Sequence, residues 1–285
     1  ATVNDNVQPN FLKQPNAGEG AITHINHATQ LIQLPQITVI TDPVFSERVS
    51  PLSWLGPKRH RQPGAELSSL PKIDAVVVSH NHYDHLDKKS LLAIEKKDQA
   101  VFIVPLGNKK LLQSIGIKKV VELDWWQEFN LNGSKITLVP MQHWSARGLT
   151  DKSETLWGGY VIESQGLRVL FSGDTGYNKQ FKEIEQKFGS MNASILPIGA
   201  YEPRWFMKSQ HMSPKDAIQA HLDLKSHLSI GNHFGTFQLT DEGIDEPIHE
   251  LHNNLKLRGI EPKQFITPKN GQTIILRHHK RSAVS

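Results

Sequence analysis

The stretch Ser79-His80-Asn81-His82-Tyr83-Asp84-His85-Leu86-Asp87 places four potential metal ligands, His80, His82, Asp84 and His85, within six residues. Imidazole nitrogen and carboxylate oxygen are donors that zinc, iron and manganese all accept. In extended chain His80 and His82 point the same way while Asp84 and His85 point elsewhere, so one cluster can serve two ions. Three later stretches also follow strand-like runs and carry candidate donors: Gln142-His143-Trp144, Ser172-Gly173-Asp174-Thr175-Gly176 and Asn232-His233-Phe234-Gly235. Cysteine is absent, which excludes disulfides, thiolate ligands and a cysteine nucleophile. Any metal site must therefore use His, Asp or Glu. The lack of cysteine suits a reducing and an oxidising compartment equally.

The elements that must position these residues are readable from periodicity. The β-branched run from Ile73 to Val78 is short and closed by polar residues, so it predicts a buried strand that delivers the first cluster to its C-terminal end. Before it, segments at 22–26, 30–34 and 37–41 read as an antiparallel meander. Asp42-Pro43 stops the third, and Pro51, Pro57, Pro63 and Pro71 forbid a long helix thereafter. After the cluster, helices are predicted over 89–97 and 108–114 and strands over 100–104 and 119–123. Hairpins follow at 126–140, turning on Asn132-Gly133, and at 156–171, turning on Ser164-Gln165-Gly166. The second half reads as a helix at 179–188, a strand at 193–197, a loop from 199 to 213, a helix at 214–222 and a strand at 227–230. A helix at 246–258 and strands near 264–266 and 272–276 close the chain. Two meanders, each followed by helices, predict an α/β fold (α+β in content): two sheets face to face with helices outside, a four-layer αββα sandwich. Residues 1–20, polar and rich in Pro and Gly, read as an extended N-terminal arm, and 21–285 as one domain.

Composition narrows the function classes. The 285 residues are 38% hydrophobic and 21% charged, as in ordinary globular chains. No apolar run reaches the roughly 18 residues a membrane-spanning helix needs. The net charge of +4 is mild, and much of it lies in 58–61 and 277–281. Basic residues are not interleaved with aromatics as in a stacking platform, which argues against a nucleic-acid partner. The chain opens on Ala1, which leaves room for a leader removed ahead of it.

His80 to His85 match His-x-His-x-Asp-His, and with the later donors the chain resembles the metallo-β-lactamase fold superfamily. Over about residues 22 to 270 it resembles more closely the N-acylphosphatidylethanolamine-hydrolysing phospholipase D group and its bacterial relatives. The matching text is Thr41-Asp42-Pro43-Val44-Phe45, the run from Ser50 to Arg59, Gln142-His143-Trp144, Gly173-Asp174-Thr175-Gly176-Tyr177 and the run from Pro197 to Lys208. It departs at Phe234, where eukaryotic members carry Trp, and in the arm.

The resemblance implies a dinuclear zinc hydrolase. His80, His82 and His143 would hold one ion, Asp84, His85 and His233 the other, and Asp174 would bridge them. Iron or manganese accepts the same set. Such a pair supplies a hydroxide nucleophile at neutral pH, which would cleave a phospholipid or other small phosphodiester. The same metal core could instead open a lactone or β-lactam, and residue type alone does not choose. Asp174 and His211 are the candidate catalytic residues, His211 touching substrate phosphate or moving a proton. Asp42 either orients a ligand histidine or closes an Asx-turn. His27 is read as structural, Trp125-Trp126 as packing, and His221, His227, His249 and His252 receive no site role. Trp205, Phe206 and Met207, flanked by Arg204 and Lys208, form a candidate peripheral contact with a membrane. Family members are often homodimers, so a second copy is an expected partner.

Overall fold

The computed structural model describes residues 5–52 and 54–278. It contains fourteen strands in two seven-stranded sheets. The first sheet draws on β1 (Glu19–Asn26), β2 (Thr29–Leu34), β3 (Ile37–Thr41), β4 (Ala75–Val77), then, after helix α1 (Lys88–Asp98), β5 (Val101–Pro105), helix α2 (Lys109–Ser114) and β6 (Val120–Leu123). The second is built from β7 (Glu128–Leu131), β8 (Ser134–Val139), β9 (Gly159–Ser164), β10 (Leu167–Phe171), helix α3 (Gln180–Phe188), β11 (Ala193–Pro197), helices α4 (Arg204–Met207) and α5 (Pro214–Asp223), β12 (Leu228–Asn232), helix α6 (Glu246–Leu257) and β13 (Phe265–Ile266). β14 (Thr273–Arg277) returns to pair with β1. The orders are β14-β1-β2-β3-β4-β5-β6 and β13-β12-β11-β10-β9-β8-β7.

Strand sense decides where the loops go. β1 and β3 are both antiparallel to β2, and β3, β4, β5 and β6 run parallel, so β1, β3 and β4 all end on one edge. Likewise β8 and β10 are both antiparallel to β9, and β11 and β12 run parallel to β10. Six strand ends can thus meet at a single rim, where side chains converge without interrupting the ladders.

Three apolar layers hold this frame, confirming the αββα sandwich. Ile22, Ile32, Val39, Val77 and Ile103 of one sheet meet Ile136, Leu138, Ile162, Val169 and Ile195 of the other. Leu91, Ile94 and Leu112 of α1 and α2 cover the outer face of the first sheet with Val76, Phe102 and Val104. Phe181, Ile184, Ala217, Ile218, Leu251 and Leu255 cover the second. Alternating burial on opposite faces explains why these strands read as near-continuous apolar runs.

Most predicted boundaries stand within two residues, with three corrections. β1 begins at Glu19, inside the stretch read as arm. The second hairpin starts at Gly159 instead of 156, and the stretch 199–213, read as loop, contains the single helical turn α4. The arm itself is tied down: Leu12 exchanges hydrogen bonds with the Gln33 side chain (3.0 and 2.7 Å), and Val7 N–H donates to Asn270 O at 2.9 Å. Of the basic run at 277–281, residues 279 onward lie outside the described residues. Among the described residues, no helix is long and apolar enough to cross a membrane.

Tyr160, fully buried, clamps the sheets directly behind the first ligand cluster. Its hydroxyl lies 2.9 Å from Val78 O and 3.1 Å from Ile103 O of the opposite sheet. Tyr160→Phe is expected to lower the unfolding free energy by about 1 kcal/mol, whereas Tyr160→Ala, which also opens a cavity, should cost about 3–5 kcal/mol. Urea unfolding followed by far-UV circular dichroism checks both, and equal stabilities for the wild-type and Phe forms would remove this hydroxyl from the clamp.

Candidate metal centre

Each candidate donor stands where a strand has just ended. The loop after β4 carries His80 to His85 and stops at Asp87, whose carboxylate accepts from Lys89 N–H (3.2 Å) and Ser90 Oγ (2.6 Å) and so starts α1. His143 follows β8, Asp174 follows β10 and His233 follows β12. The two rims are stitched together by backbone: His233 N–H donates to His27 O at 2.9 Å, and Gly158 N–H to Ser79 O at 3.0 Å. Close approach needs missing side chains. A Cβ on Gly173, which has φ of 62°, would lie 2.4 Å from Ser79 Cβ, and one on Gly199 would lie 2.2 Å from His233 O. His27, Asp42 and His233 themselves adopt φ of 42°, 33° and 59°, so backbone strain is present at the rim.

The donors fall into two groups. Ring nitrogens of His80, His82 and His143 lie within 4.8 Å of one another, and so do donor atoms of His27, Asp84, His85 and His233. A single oxygen, Asp174 Oδ2, stands between them. It is 3.9 Å from the Nε2 atoms of both His80 and His143, 3.1 Å from His85 Nε2 and 3.2 Å from His233 Nε2. Asp84 Oδ2 is also 3.2 Å from both His85 Nε2 and His233 Nε2. His80 Nε2, His82 Nε2 and Asp174 Oδ1 are buried with no hydrogen-bond partner. Convergent, orphaned N and O donors of this kind fit divalent metal ions, which satisfy them together.

Outer contacts aim these lone pairs inward. Ser79 Oγ donates to Asp42 Oδ2 (2.6 Å), so its lone pair is left to accept from His80 Nδ1–H at 2.8 Å. His85 Nδ1–H donates to the same Asp42 oxygen at 2.6 Å, and His143 Nδ1–H to Gln210 O at 3.0 Å. In all three rings this holds Nδ1 outward and turns Nε2 toward the centre. Of the two readings of Asp42, the orienting one is what the structure displays. Burial drives the Asp42 carboxyl above its ordinary range, against the opposing pull of His85 and Ser79.

The electrostatics of the two groups differ. Burial, with help from neighbouring imidazoles, holds His80 well below the ordinary histidine value, and burial does the same at His143 against the opposing pull of Asp174. Both are neutral, the ligating form. His233 is pushed the other way, up to about 9, because Asp174 and Asp84 outweigh its burial, and His85 is raised well above its usual range by the same carboxylates. Asp84 and Asp174 are correspondingly held well below the carboxylate range despite burial. The pull of these two carboxylates on His85 and His233 is the same pull they would exert on a bound cation, so metal binding and protonation of these rings compete.

His27, read from the sequence as structural, lies against the second group. Its Nε2 lies 3.0 Å from Asp84 Oδ2, with burial depressing the ring's pKa to about 3, so it belongs to the second donor group. Its only sequence signal is its place in Asn26-His27-Ala28-Thr29, the tight β1–β2 turn. His211 is buried beside the centre with Nδ1 unpartnered and 3.9 Å from Asp174 Oδ2. His221 is elsewhere, paired with Ser229 Oγ at 2.8 Å, and Trp125 packs with its indole N–H on Trp157 O. Arg204 does not flank the apolar turn as a free cation: its guanidinium contacts His211 O and Asp216. A cavity of about 670 Å³ lies behind the ligand loop, walled by Phe45, Arg48, Tyr83, Leu86 and Arg147; none of the donor histidines lines it.

The fold and site together define a class, and comparison with known proteins agrees. Residues 38–234 match the family described as beta-lactamase superfamily domain. The chain belongs to the metallo-β-lactamase superfamily and is a metal-dependent hydrolase of that fold. Within it, the chain is 40% identical over 263 residues to N-acyl-phosphatidylethanolamine-hydrolyzing phospholipase D 1 of Caenorhabditis elegans, an alignment spanning 88% of this chain and 74% of that one. It is 36% identical over 244 residues to the mitochondrial phospholipase D of the same description in Saccharomyces cerevisiae, covering 83% of this chain and 52% of the other. Among solved structures, an isothiocyanate hydrolase from Delia radicum gut bacteria shares the fold at a TM-score of 0.68 and 19% identity, over 89% of this chain and 98% of that one. A metallo hydrolase from Ignicoccus hospitalis does so at 0.64 and 19%, over 90% and 98%.

If Asp42 orients His85, Asp42→Asn should weaken divalent-metal affinity about 10- to 100-fold while the fold persists. Competition with a chromophoric chelator measures this; unchanged affinity would reduce Asp42 to a turn residue.

Proposed function

We propose that this chain is a dinuclear zinc hydrolase of phosphodiesters, acting on phospholipids of the N-acylphosphatidylethanolamine type. One arrangement carries the proposal: Asp174 Oδ2 lies within 4 Å of histidine nitrogens from both donor groups, in a chain 40% identical to a phospholipase D of that specificity. His80, His82 and His143 would hold one ion, and Asp84, His85 and His233 the second, with Asp174 common to both. Iron and manganese are the competing occupants of the same donors. When bound, such a pair supplies an activated water as nucleophile and neutralises charge on the phosphoryl oxygens.

The chain's own groups do the rest. Asp42, Ser79 and the Gln210 carbonyl keep the donor rings in register, so the site is organised before substrate arrives. His211, its pKa lowered to about 4 by burial, is neutral and has a free nitrogen facing the Asp174 side of the centre. Its position supports a role in bonding the phosphoryl group and, once the free nitrogen has taken up the proton that the attacking water releases, in handing that proton to the departing oxygen. Asp174 and His211 are thus the catalytic pair, and the products are a phosphatidate-like monoester and an alcohol. Trp205 and Phe206, 86% and 57% exposed on α4, supply a peripheral contact for a lipid surface, with exposed Lys208 beside them and Met207 half-buried.

Protein stripped by chelation and refilled with zinc, iron or manganese should hydrolyse N-acylphosphatidylethanolamine, zinc restoring the most activity. His82→Ala and Asp174→Ala should abolish turnover with the fold retained, and His211→Ala should lower kcat about 10²- to 10⁴-fold. Lactone or lactam opening without phosphodiester cleavage, or full activity in His82→Ala or Asp174→Ala, would overturn the assignment.

A further inference from the structure

We infer that Arg204 is the positioning residue for His211: its guanidinium fork fixes the backbone from which that imidazole reaches the centre. The inference rests on the proton-handling role proposed for His211. His211 lies in no extended element; it follows the four-residue turn α4 and precedes the start of α5. A histidine on such a connection has no ladder to orient it, so its aim depends on what holds its own peptide groups.

Both of those groups are held. His211 N–H donates to Met207 O at 2.9 Å, and His211 O accepts from Arg204 Nη1 at 2.9 Å. The other arm of the same fork, Nη2, reaches Asp216 Oδ2 at 2.7 Å. Asp216 is itself anchored, because its carboxylate accepts from Ser213 N–H (3.1 Å) and Ser213 Oγ (3.0 Å) in the capping box that starts α5. Arg204 thereby spans a carbonyl and a carboxylate about one peptide turn apart. A planar guanidinium does this with one rigid group, whereas an ammonium on a flexible stem serves one acceptor at a time.

The near end of the fork is equally fixed. Arg204 N–H donates to Glu202 Oε2 at 2.8 Å, and buried Glu242 accepts from the amides of Ala200 (2.5 Å), Tyr201 (3.3 Å) and Glu202 (3.1 Å). The path therefore runs from the end of β11, through a carboxylate-bound loop and α4, to Arg204 and His211, and on to the α5 cap. The neighbouring peptide carries a second duty, since Gln210 O receives the Nδ1–H of the donor His143. Loosening this turn would displace the proton-handling ring, and a misplacement of about 1 Å is enough to cost rate.

Arg204→Ala should lower kcat about 10- to 100-fold with KM changed by less than about threefold, the signature of a misplaced group and not of lost binding. Arg204→Lys should recover part of that loss. The double variant Arg204→Ala/His211→Ala should be no slower than His211→Ala alone, since removing the ring removes what Arg204 positions. Losses that multiply in the double variant, or an unchanged kcat in Arg204→Ala, would overturn the inference. Imidazole NMR decides it independently of turnover. The His211 resonance, assigned by its loss in His211→Ala, should shift or broaden in zinc-loaded Arg204→Ala and return toward its wild-type position in Arg204→Lys; an unmoved resonance would also overturn it. A wild-type chain inactive on phosphodiesters refutes the proposed function instead, and the NMR shift alone then decides whether Arg204 positions the ring.

Discussion

Two carboxylates and six imidazoles crowded out of water cannot satisfy one another by hydrogen bonds alone. Asp84 and Asp174 each approach His85 and His233 within 3.2 Å, while Nε2 of His80 and of His82 finds no partner. Desolvating such a set is costly unless positive charge sits among the donors. The surrounding structure is arranged to keep that crowding in place: the sheets bring the residues to one rim, and contacts outside the donor ring prevent them from turning away.

The constraint reaches back into the fold through strand direction. Because β1, β3 and β4 share one sense, and β8, β10 and β12 share another within their own sheet, a sandwich of ordinary apolar layers delivers six loops to one edge. Tyr160 and the Gly173–Ser79 approach then set how close the two sheets come there. Asp42 shows how economical the result is. One carboxylate receives Ser79 N–H and Oγ and His85 Nδ1, joining the end of β3 to two separate points of the ligand loop.

Much of this was legible in the sequence, for identifiable reasons. Strand ends announced by β-branched runs and polar stops located His80 to His85, His143, Asp174 and His233, and Asn132-Gly133 marked a hairpin. What local pattern could not supply were contacts between distant segments. His27 joins Asp84 across 57 positions of sequence, and the β1–β2 turn that carries it has no motif that separates a donor from a buried turn residue. Asp42 was ambiguous because an Asx-turn and an orienting carboxylate look the same until His85 is placed beside it. The turn α4 was hidden in a stretch with no helical period, and Arg204 read as surface charge because its partners, His211 O and Asp216, are set only once that turn forms.

Function follows from the same economy. The family makes the chain a metal-dependent hydrolase, while in the proposed function specificity rests on the groups around the centre: His211 and its support, and the exposed aromatic tip of α4. Two ions sharing Asp174 are what the proposed chemistry requires. Diffraction from zinc-loaded crystals on either side of the zinc absorption edge tests this most directly. It should show two anomalous peaks flanking Asp174 Oδ2, one against His80, His82 and His143 and the other against Asp84, His85 and His233; a single peak, or peaks away from Asp174, would contradict it.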